Sequence, residues 1–461
     1  NVRQNLDAYF ELNNDLDETT DGYTTYVKDG DTLANDGKGW EPIGDYGNAS
    51  TEFNGSFDGD NHFIADLHIN RPGKDRVGLF GRIGSRGESI VKNIRLKNVD
   101  ITGSEFVSAL VGQLRGMVRN VSVEGGNITG SGFSVGGIAG EIESSGQVQI
   151  SYSNVSLTGK SNVGGIAGSN GNTISNSYSL GSVSATATNA GGLVGDNYRG
   201  TITNSYSTGM VSAPYDKGGL VGRNLLDLGF NTIEGTVNNS FWDTETSGLS
   251  SSPAGTGKTT AELKSLNTFT DAGWDFTEDT GVWAIEQGNR VSYPYPQSID
   301  YDEPGATPAV NPIPGLSGPL YAGGEGTADD PFQIETWEHL HNVRQNLGAY
   351  FVLNSDLGEN TDGYTTYVKD GDTLANDGKG WDPIGGQVNP FTGSFNGAGY
   401  TISGLQIHRN ESDIGLFSLA DNASIKNLGL LDVSVQGLND VGGLVGINSS
   451  LVQQAYVTGT V

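Results

Sequence analysis

Residues 191–206 read GGLVGDNYRGTITNSY, and the opening of this stretch recurs along the chain. The recurring landmark is a turn that begins with small residues, continues with two aliphatic or small apolar residues and ends with a glycine. In the first part of the chain that glycine stands at positions 112, 140, 168, 195 and 222, so successive copies are 28, 28, 27 and 27 residues apart. Periods of roughly 20 to 50 residues are typical of solenoids and propellers, so this spacing predicts a repeat protein.

A second landmark follows each turn and contains a short strand. In Ile202-Thr203-Asn204-Ser205-Tyr206 the larger residues alternate with Thr and Ser, and this period of two predicts that Ile202, Asn204 and Tyr206 share one face. Each strand is too short to fold alone, so repeats must stack about 4.8 Å apart around a shared apolar column. About 27 residues suit a three-sided coil better than a propeller blade of about 40. We therefore predict an all-β chain, a right-handed parallel β-solenoid.

The Asn of the second landmark has a predicted role of its own. Stacked copies of this residue are expected to form a ladder of side-chain amides along the solenoid axis, because each amide both donates and accepts. One repeat has Ile150 at this place, and Ile150 is expected to interrupt the ladder.

A long internal duplication sets the domain organisation. Residues 21–40 return unchanged as residues 362–381. We expect a solenoid module at residues 1–300, without the segment that precedes Asn342 in the other copy, and the truncated start of a second module at 320–461. Residues 301–319 are rich in Pro and Gly and predict a linker between the tandem modules.

Two segments are expected to cover the open ends of the solenoid, which would otherwise expose unpaired strand edges. The first is a helix within Glu335–Leu347, with Thr336 as its N-cap and Trp337, Leu340 and Val343 on one face together with Leu347. The second is residues 259–299, where a short helical turn and four large aromatic residues predict a packed cap rather than a carbohydrate-binding platform.

Composition excludes several classes of function. The chain has 54 Asp and Glu against 25 Lys and Arg, and the resulting net charge of −29 argues against nucleic-acid partners. With no Cys, it has no disulfides, zinc–thiolate sites or thiol catalysis. No apolar run is long enough to span a membrane. The acidity fits calcium binding, a high-salt environment or simple solubility, and the sequence leaves these open.

The repeats resemble the GLUG-motif family, which is named for a Gly-Leu-x-Gly signature. Gly192-Leu193-Val194-Gly195 and Gly219-Leu220-Val221-Gly222 carry that signature, and residues 239–260 and 322–332 are similar to segments that close and open such arrays. The resemblance implies a surface or adhesin-like β-solenoid, similar to filamentous haemagglutinin-type proteins, to stalks of secreted peptidases and to halophilic archaeal surface proteins. It therefore implies an extracellular location.

Few residues of the sequence suggest a binding or modification site. Residues 255–259 read GTGKT, but a P-loop needs a glycine where Ser252 stands, so nucleotide binding is not expected. Weak calcium candidates are the acidic residues of a duplicated loop, Asp29, Asp31, Asp36, Asp370, Asp372 and Asp377. Candidate N-glycosylation sites are the sequon residues Asn48, Asn54, Asn120, Asn127, Asn154, Asn238, Asn410, Asn422 and Asn448.

The sequence as a whole predicts a non-enzymatic extracellular structural or adhesive repeat protein, without a catalytic site or an organic cofactor. Its expected partners are neighbouring copies of itself in a filament or matrix, together with surface glycans or other cell-surface proteins. Two alternatives remain open: a carbohydrate-active β-helix enzyme, such as a polysaccharide lyase or glycoside hydrolase, and the passive stalk of a secreted enzyme.

Overall fold

The computed structural model describes residues 2–45, 51–84, 89–227, 232–288, 290–299, 313–316 and 319–461. The chain divides into two compact units, Asn1–Ile285 with Tyr293–Pro314, and Glu286–Ser292 with Gly315–Val461. Most of the predicted linker, residues 301–312 and 317–318, lies outside the described residues.

The first unit is a parallel β-solenoid, as predicted, in which each coil pairs with the same positions of the next. Val118 pairs with Val148, Val148 with Ile174, Ile174 with Ile202 and Ile202 with Val237. These five side chains are buried in one continuous interior or packed against it. The strands of the larger sheet are Tyr9–Glu11, Ser56–Asp58, Phe63–Ala65, His68–Asn70, Ile90–Gly103, Met117–Gly130, Phe133–Gly136, Gln147–Gln149, Tyr152–Gly164, Thr173–Ser175, Tyr178–Ser179, Val183–Gly191, Thr201–Thr203, Tyr206–Ser207, Val211–Ser212, Lys217–Gly218, Thr236–Asn238, Phe241–Asp243 and Thr256–Lys258.

A second parallel sheet closes each coil and contains the glycine landmark. Its strands are Phe80–Ile83, Val111–Leu114, Ala139–Ile142, Ala167–Asn170, Val194–Asp196 and Val221–Arg223. The closing glycine is required by close packing: a Cβ on Gly140 would lie 2.4 Å from the backbone carbon of Phe106, and one on Gly168 2.5 Å from that of Ser134. Successive coils can therefore approach this closely only without a side chain at this place.

Short elements complete the first unit. Its antiparallel pairs are Lys28–Asp29 with Thr32–Leu33, Leu225–Asp227 with Thr232–Glu234, and Trp283–Ala284 with Tyr295–Pro296. Its short helical segments are Val2–Gln4, Tyr23–Tyr26, Ala34–Gly37, Thr260–Leu263 and Leu266–Thr270.

The Asn of the second landmark forms a left-handed corner. Asn93, Asn120, Asn176, Asn204 and Asn239 have φ between 46° and 55°, a conformation that Asn adopts more readily than most residues. The predicted amide ladder forms where Asn120 donates to Asn93 over 2.9 Å. It is not continuous, because the side-chain oxygen of Asn204 accepts no hydrogen bond from the described residues.

This corner also makes one prediction wrong. Ile202 lies inside the solenoid, but Tyr206 does not share its face, because the left-handed corner at Asn204 reverses the alternation of the strand. The buried serines after the corner form a ladder instead: the backbone N–H groups of Ser151, Ser177 and Ser205 donate to the hydroxyls of Ser177, Ser205 and Ser240 over 3.2–3.3 Å.

Residues 260–285 and 293–299 cover the side of the solenoid rather than its open end. Trp283 packs against Tyr178 and Tyr206, which belong to neighbouring coils, and Trp274 packs against Phe241 of the next coil. The outward tyrosines Tyr152, Tyr178 and Tyr206 provide the apolar strip against which this segment packs. Trp274, Trp283 and Tyr293 are buried, Trp283 fully, and Phe276 is partly buried against them, as expected of packed residues.

The second unit repeats the same architecture. Its parallel strands are Phe332–Ile334, Tyr350–Leu353, Ser394–Asn396, Thr401–Ser403, Gln406–His408, Phe417–Lys426, Gly429–Gln436, Val445–Gln453 and Tyr456–Thr460, and Lys369–Asp370 pairs antiparallel with Thr373–Leu374. The predicted helix is present as Trp337–Asn342, extended by the 3₁₀ turn Val343–Gln345; Thr336 caps it by accepting from the His339 N–H over 3.1 Å. The other helical segments are Tyr364–Tyr367 and Ala375–Gly378.

Candidate functional site

A column of polar side chains runs along the smaller sheet of the first unit. Each strand contributes the residue directly after its glycine, and these residues pair in register from coil to coil. From one coil to the next the column consists of Arg82, Gln113, Glu141, Ser169, Asp196 and Arg223. The sequence contained this signal, since aligning the repeats on their closing glycines places these residues together, but the prediction did not use it.

Arg82 is the most deeply buried charge of the column. Only 2% of its side chain is exposed, and it forms ion pairs with Glu52 (Nε to Oε1, 3.0 Å) and Glu143 (Nη2 to Oε1, 2.8 Å). It also donates to Gln113 Oε1 over 3.1 Å. A buried guanidinium must be matched by negative or accepting partners, and these three come from three different coils.

Two carboxylates lie two residues apart beside Arg82. Glu143 pairs through its other oxygen with Arg115 Nε over 2.6 Å. Glu141 accepts from Gln113 Nε2 over 2.6 Å. Burial, with a further contribution from nearby Glu143, raises the pKa of Glu141 above its ordinary value. Burial and the neighbouring carboxylates raise the pKa of Tyr198 to about 12, so this phenol stays neutral.

These groups line an open cleft of about 330 Å³, with Arg76, Tyr198 and Arg199 at its edges. A carboxyl group with a raised pKa beside a carboxylate held by two arginines is a pattern that acid–base chemistry uses. Ion pairs of this kind also tie coils together. At the far end of the column, neighbouring coils are connected in the same way: Arg223 Nε donates to Asp196 Oδ1 over 3.0 Å.

The calcium candidates are exposed and dispersed. Asp29 and Asp31 belong to a β-hairpin that turns at Gly30 (φ 55°), and Asp36 lies in the following turn. Asp370, Asp372 and Asp377 occupy the equivalent places in the second unit. Among the described residues no three His, Asp or Glu side chains are grouped so that they could hold a metal ion.

The sequon residues differ in exposure. Asn120 is half-buried, and both ends of its amide are engaged, with Asn93 and with Ser298, while Asn54 is half-buried and donates to the Glu52 carbonyl. Asn48 lies outside the described residues. The exposed ones are Asn127, Asn154, Asn238, Asn410, Asn422 and Asn448.

The GTGKT stretch has a structural position. Thr256–Lys258 is the last strand of the larger sheet, and Thr259 forms a capping box with Glu262 at the start of a four-residue helix. Lys258 pairs with Glu262 over 2.9 Å. Across the described residues, no helix has both the length and the apolar character needed to cross a membrane.

The fold and its coil register define a parallel β-solenoid repeat protein. Residues 186–212, which include the landmark at 191–195, match the family described as "The GLUG motif". This match confirms the resemblance seen in the sequence, and residues 186–212 contain a GLUG motif.

Two curated relatives match part of the chain. A "Putative Gly-rich membrane protein" of Evansella cellulosilytica is 39% identical over 145 residues, which is 30% of this chain and 16% of the relative. "Halomucin" of Haloquadratum walsbyi is 41% identical over 109 residues, 24% of this chain and 1% of the relative. The matches thus span small fractions of both relatives.

One solved structure is similar to the chain at 21% identity and a TM-score of 0.44. It is titled as a "putative immunoglobulin A1 protease" from Bacteroides ovatus, and the match covers 63% of this chain and 85% of that one.

Proposed function

We propose that this chain is a non-enzymatic structural module of an extracellular repeat protein at the cell surface, where tandem modules form a filament or matrix. The observation that carries the proposal is the in-register stack. Equivalent residues pair from coil to coil through the first unit, so the module is a single column of repeated contacts. Such a stack transmits load along its axis and presents the same surface at regular intervals.

The charged column supports a structural role. Arg82 connects Glu52, Gln113 and Glu143, and Glu143 uses both of its oxygens on arginines. A catalytic carboxylate must instead reach a substrate atom directly or through one water. Because these charged side chains pair with one another, they fit a network that holds neighbouring coils together better than an active site.

The relatives and the GLUG resemblance support a location outside the cell. One relative is named as a membrane protein, and the GLUG resemblance implies surface proteins. The proposed partners are neighbouring copies of the module and, through weak contacts that add along the array, surface glycans or other surface proteins. The exposed sequons offer attachment points for glycans on such a surface.

One observation favours the rival class, a carbohydrate-active enzyme: the raised pKa of Glu141 beside Glu143. The test is to incubate the purified chain with a panel of neutral, uronic and sulfated polysaccharides and to measure new reducing ends and unsaturated products. The proposal expects no release above the blank. Turnover that Glu141→Gln abolishes, and that the exposed control Asp271→Asn retains, would establish the enzyme instead.

Location is tested separately, by treating intact cells that produce the protein with an external protease. The proposal expects the chain to be cleaved while a cytoplasmic marker stays intact. Protection of the chain until the cells are lysed would contradict an extracellular position.

A further inference from the structure

The open cleft beside the charged column is shaped by the lengths of three connections between strands. Where the chain passes from the smaller to the larger sheet, four residues connect the strands in one coil (143–146), two in the next (171–172) and four in the coil after that (197–200). The strands themselves pair in register. The short connection therefore lies between two longer ones, and residues of all three line the cleft of about 330 Å³.

Two adjacent residues of the third connection offer hydrogen-bond donors to the cleft. The Tyr198 side chain extends over the short connection, where a Cβ on Gly171 would lie 2.3 Å from the Tyr198 hydroxyl oxygen. The pKa of Tyr198, raised to about 12, keeps this hydroxyl protonated. Arg199 is exposed. In the part of the chain that the structure describes, neither side chain forms a hydrogen bond or an ion pair, so both are available to a ligand.

The cleft is positively charged, although the chain is strongly acidic. Four arginines line it, Arg76, Arg82, Arg115 and Arg199. Three carboxyl groups oppose them, those of Glu141 and Glu143 in the cleft and that of Glu52, which pairs with Arg82. Over the whole chain, acidic residues instead outnumber basic ones by 54 to 25. An anion is therefore attracted to this cleft and repelled by most of the remaining surface.

The lining side chains determine which kind of anion fits. A guanidinium binds a carboxylate through two parallel N–H···O bonds, and a carboxylate concentrates its charge on two oxygens, where a sulfate ester spreads it over three. The hydroxyls of Tyr198 and Ser144 and the carboxyl of Glu141 add donors and acceptors for neutral hydroxyl groups. The described lining residues include no aliphatic side chain, so an apolar ligand finds little to contact. A sugar that carries a carboxylate matches this set of groups.

We propose that the cleft binds a uronic acid residue of an acidic polysaccharide, with its carboxylate on Arg199 and its hydroxyl groups on Tyr198 and Glu141. This inference rests on the proposed contact of the module with surface glycans, and it names the class of those glycans and their binding site. Binding forms and breaks no covalent bond, so it requires no turnover of the polysaccharide.

The cleft has its shape before a ligand binds. On one side, ion pairs with two arginines fix Glu143. On the other side, the fully buried Asn197 anchors the connection 197–200 by donating to Asn224 over 2.7 Å. A ligand therefore costs little reorganisation. An exposed ion pair contributes little in water, so we expect a modest affinity for a short oligosaccharide and a higher one for a polysaccharide that contacts several modules.

The test titrates the full chain with a trisaccharide of galacturonic acid and follows the heat of binding at low salt. We expect saturable binding with a Kd below about 1 mM, weakened by added salt because exposed charges are screened. The matched control ligand is the same trisaccharide with its carboxyl groups reduced to alcohols, which should bind at least about tenfold more weakly. A sulfated neutral trisaccharide should also bind more weakly than the uronic one.

Variants of the chain assign the site. Arg199→Met should weaken binding of the uronic trisaccharide at least about tenfold, and Tyr198→Phe should weaken it several-fold. Arg119→Met removes an exposed arginine of the larger sheet that does not line the cleft, and it should have no effect. Unfolding midpoints of the variants confirm that each is folded. The proposal is overturned by absence of saturable binding, by equal binding of the reduced or the sulfated trisaccharide, or by equal effects of Arg199→Met and Arg119→Met.

Failure of this site is distinguishable from failure of the proposed function. Binding that Arg199→Met leaves unchanged removes the cleft as the glycan site but keeps the module at the surface. Protection of the chain from external protease removes the surface location whatever the cleft binds.

Discussion

Tyr178 and Tyr206, which occupy the same place in neighbouring coils, stack with ring centroids 4.9 Å apart and planes within 6° of parallel. Tyr152 extends the stack at 4.7 Å from Tyr178. The spacing of the rings is that of the strands that carry them. The stack thus reports the register of the solenoid at its surface, and residues 260–285 and 293–299 pack onto it.

Tyr206→Phe should loosen the segment that covers this stack. The buried Tyr206 hydroxyl donates to the Pro294 carbonyl over 2.7 Å, and removing it leaves that carbonyl without this donor. We expect a loss of about 1–2 kcal/mol in the free energy of unfolding, with faster hydrogen exchange confined to residues 293–299. Urea unfolding and exchange mass spectrometry measure the two effects. Tyr215→Phe, on a 73% exposed side chain, should change neither.

Arg82→Met should destabilise the first unit by about 3–5 kcal/mol. The substitution removes one partner of a buried network and leaves Glu52 and Glu143 without their guanidinium. Denaturant unfolding gives the value. Arg199→Met, at the exposed edge of the same cleft, should change stability by no more than about 0.5 kcal/mol. Equal effects of the two variants would mean that the network around Arg82 does not hold the coils together.

Ile150→Asn should stabilise the chain. Ile150 has φ 49°, a left-handed conformation that is strained for a β-branched residue and is occupied by Asn in the neighbouring coils. We expect a gain of about 1 kcal/mol in the free energy of unfolding, measured by denaturant titration. The mirror variant Asn176→Ile, at φ 50°, should lose a similar amount. A loss from Ile150→Asn would show that its side-chain packing outweighs the backbone strain.

Acid should weaken docking of the helix in the second unit through His341. Burial against Tyr367, with a smaller effect of Arg344, lowers the pKa of His341 to about 4 from its ordinary value of 6.5. The unfolded state therefore binds a proton in this pH range that the folded state does not, so stability present above pH 6.5 is lost as the pH falls toward 4. Unfolding midpoints across this range measure the slope, and His341→Phe should flatten it.

The sequence predicted the parts of the fold that depend on local chemistry. Gly140 and Gly168 have to be glycine because neighbouring backbone lies within 2.5 Å of a Cβ, so the repeat is visible in the sequence. The helix at 337–342 was also predicted, because its N-cap Thr336 and its apolar face are local features of the sequence.

Features that depend on a positive φ or on distant contacts were not predicted. The reversal at Asn204 follows from a positive φ that alternation alone does not reveal, and it moved Tyr206 from the predicted face to the aromatic cluster. The position of residues 260–285 and 293–299 on the side of the solenoid depends on that move. Glu52 pairs with Arg82 across 30 positions of sequence, and no local pattern links the two.

Cysteine pairs test the in-register stack most directly, because the chain has no Cys of its own. Ser184 pairs with Ser212 in the next coil and with Thr158 in the previous one. Thr158 and Ser212 are two coils apart, so their Cα atoms are about 10 Å apart, beyond the roughly 7 Å that a disulfide can bridge. Under mild oxidation, Ser184→Cys with Ser212→Cys should form a disulfide, and Thr158→Cys with Ser212→Cys should not. Cross-linking of the second pair, or failure of the first, would contradict the stacked solenoid.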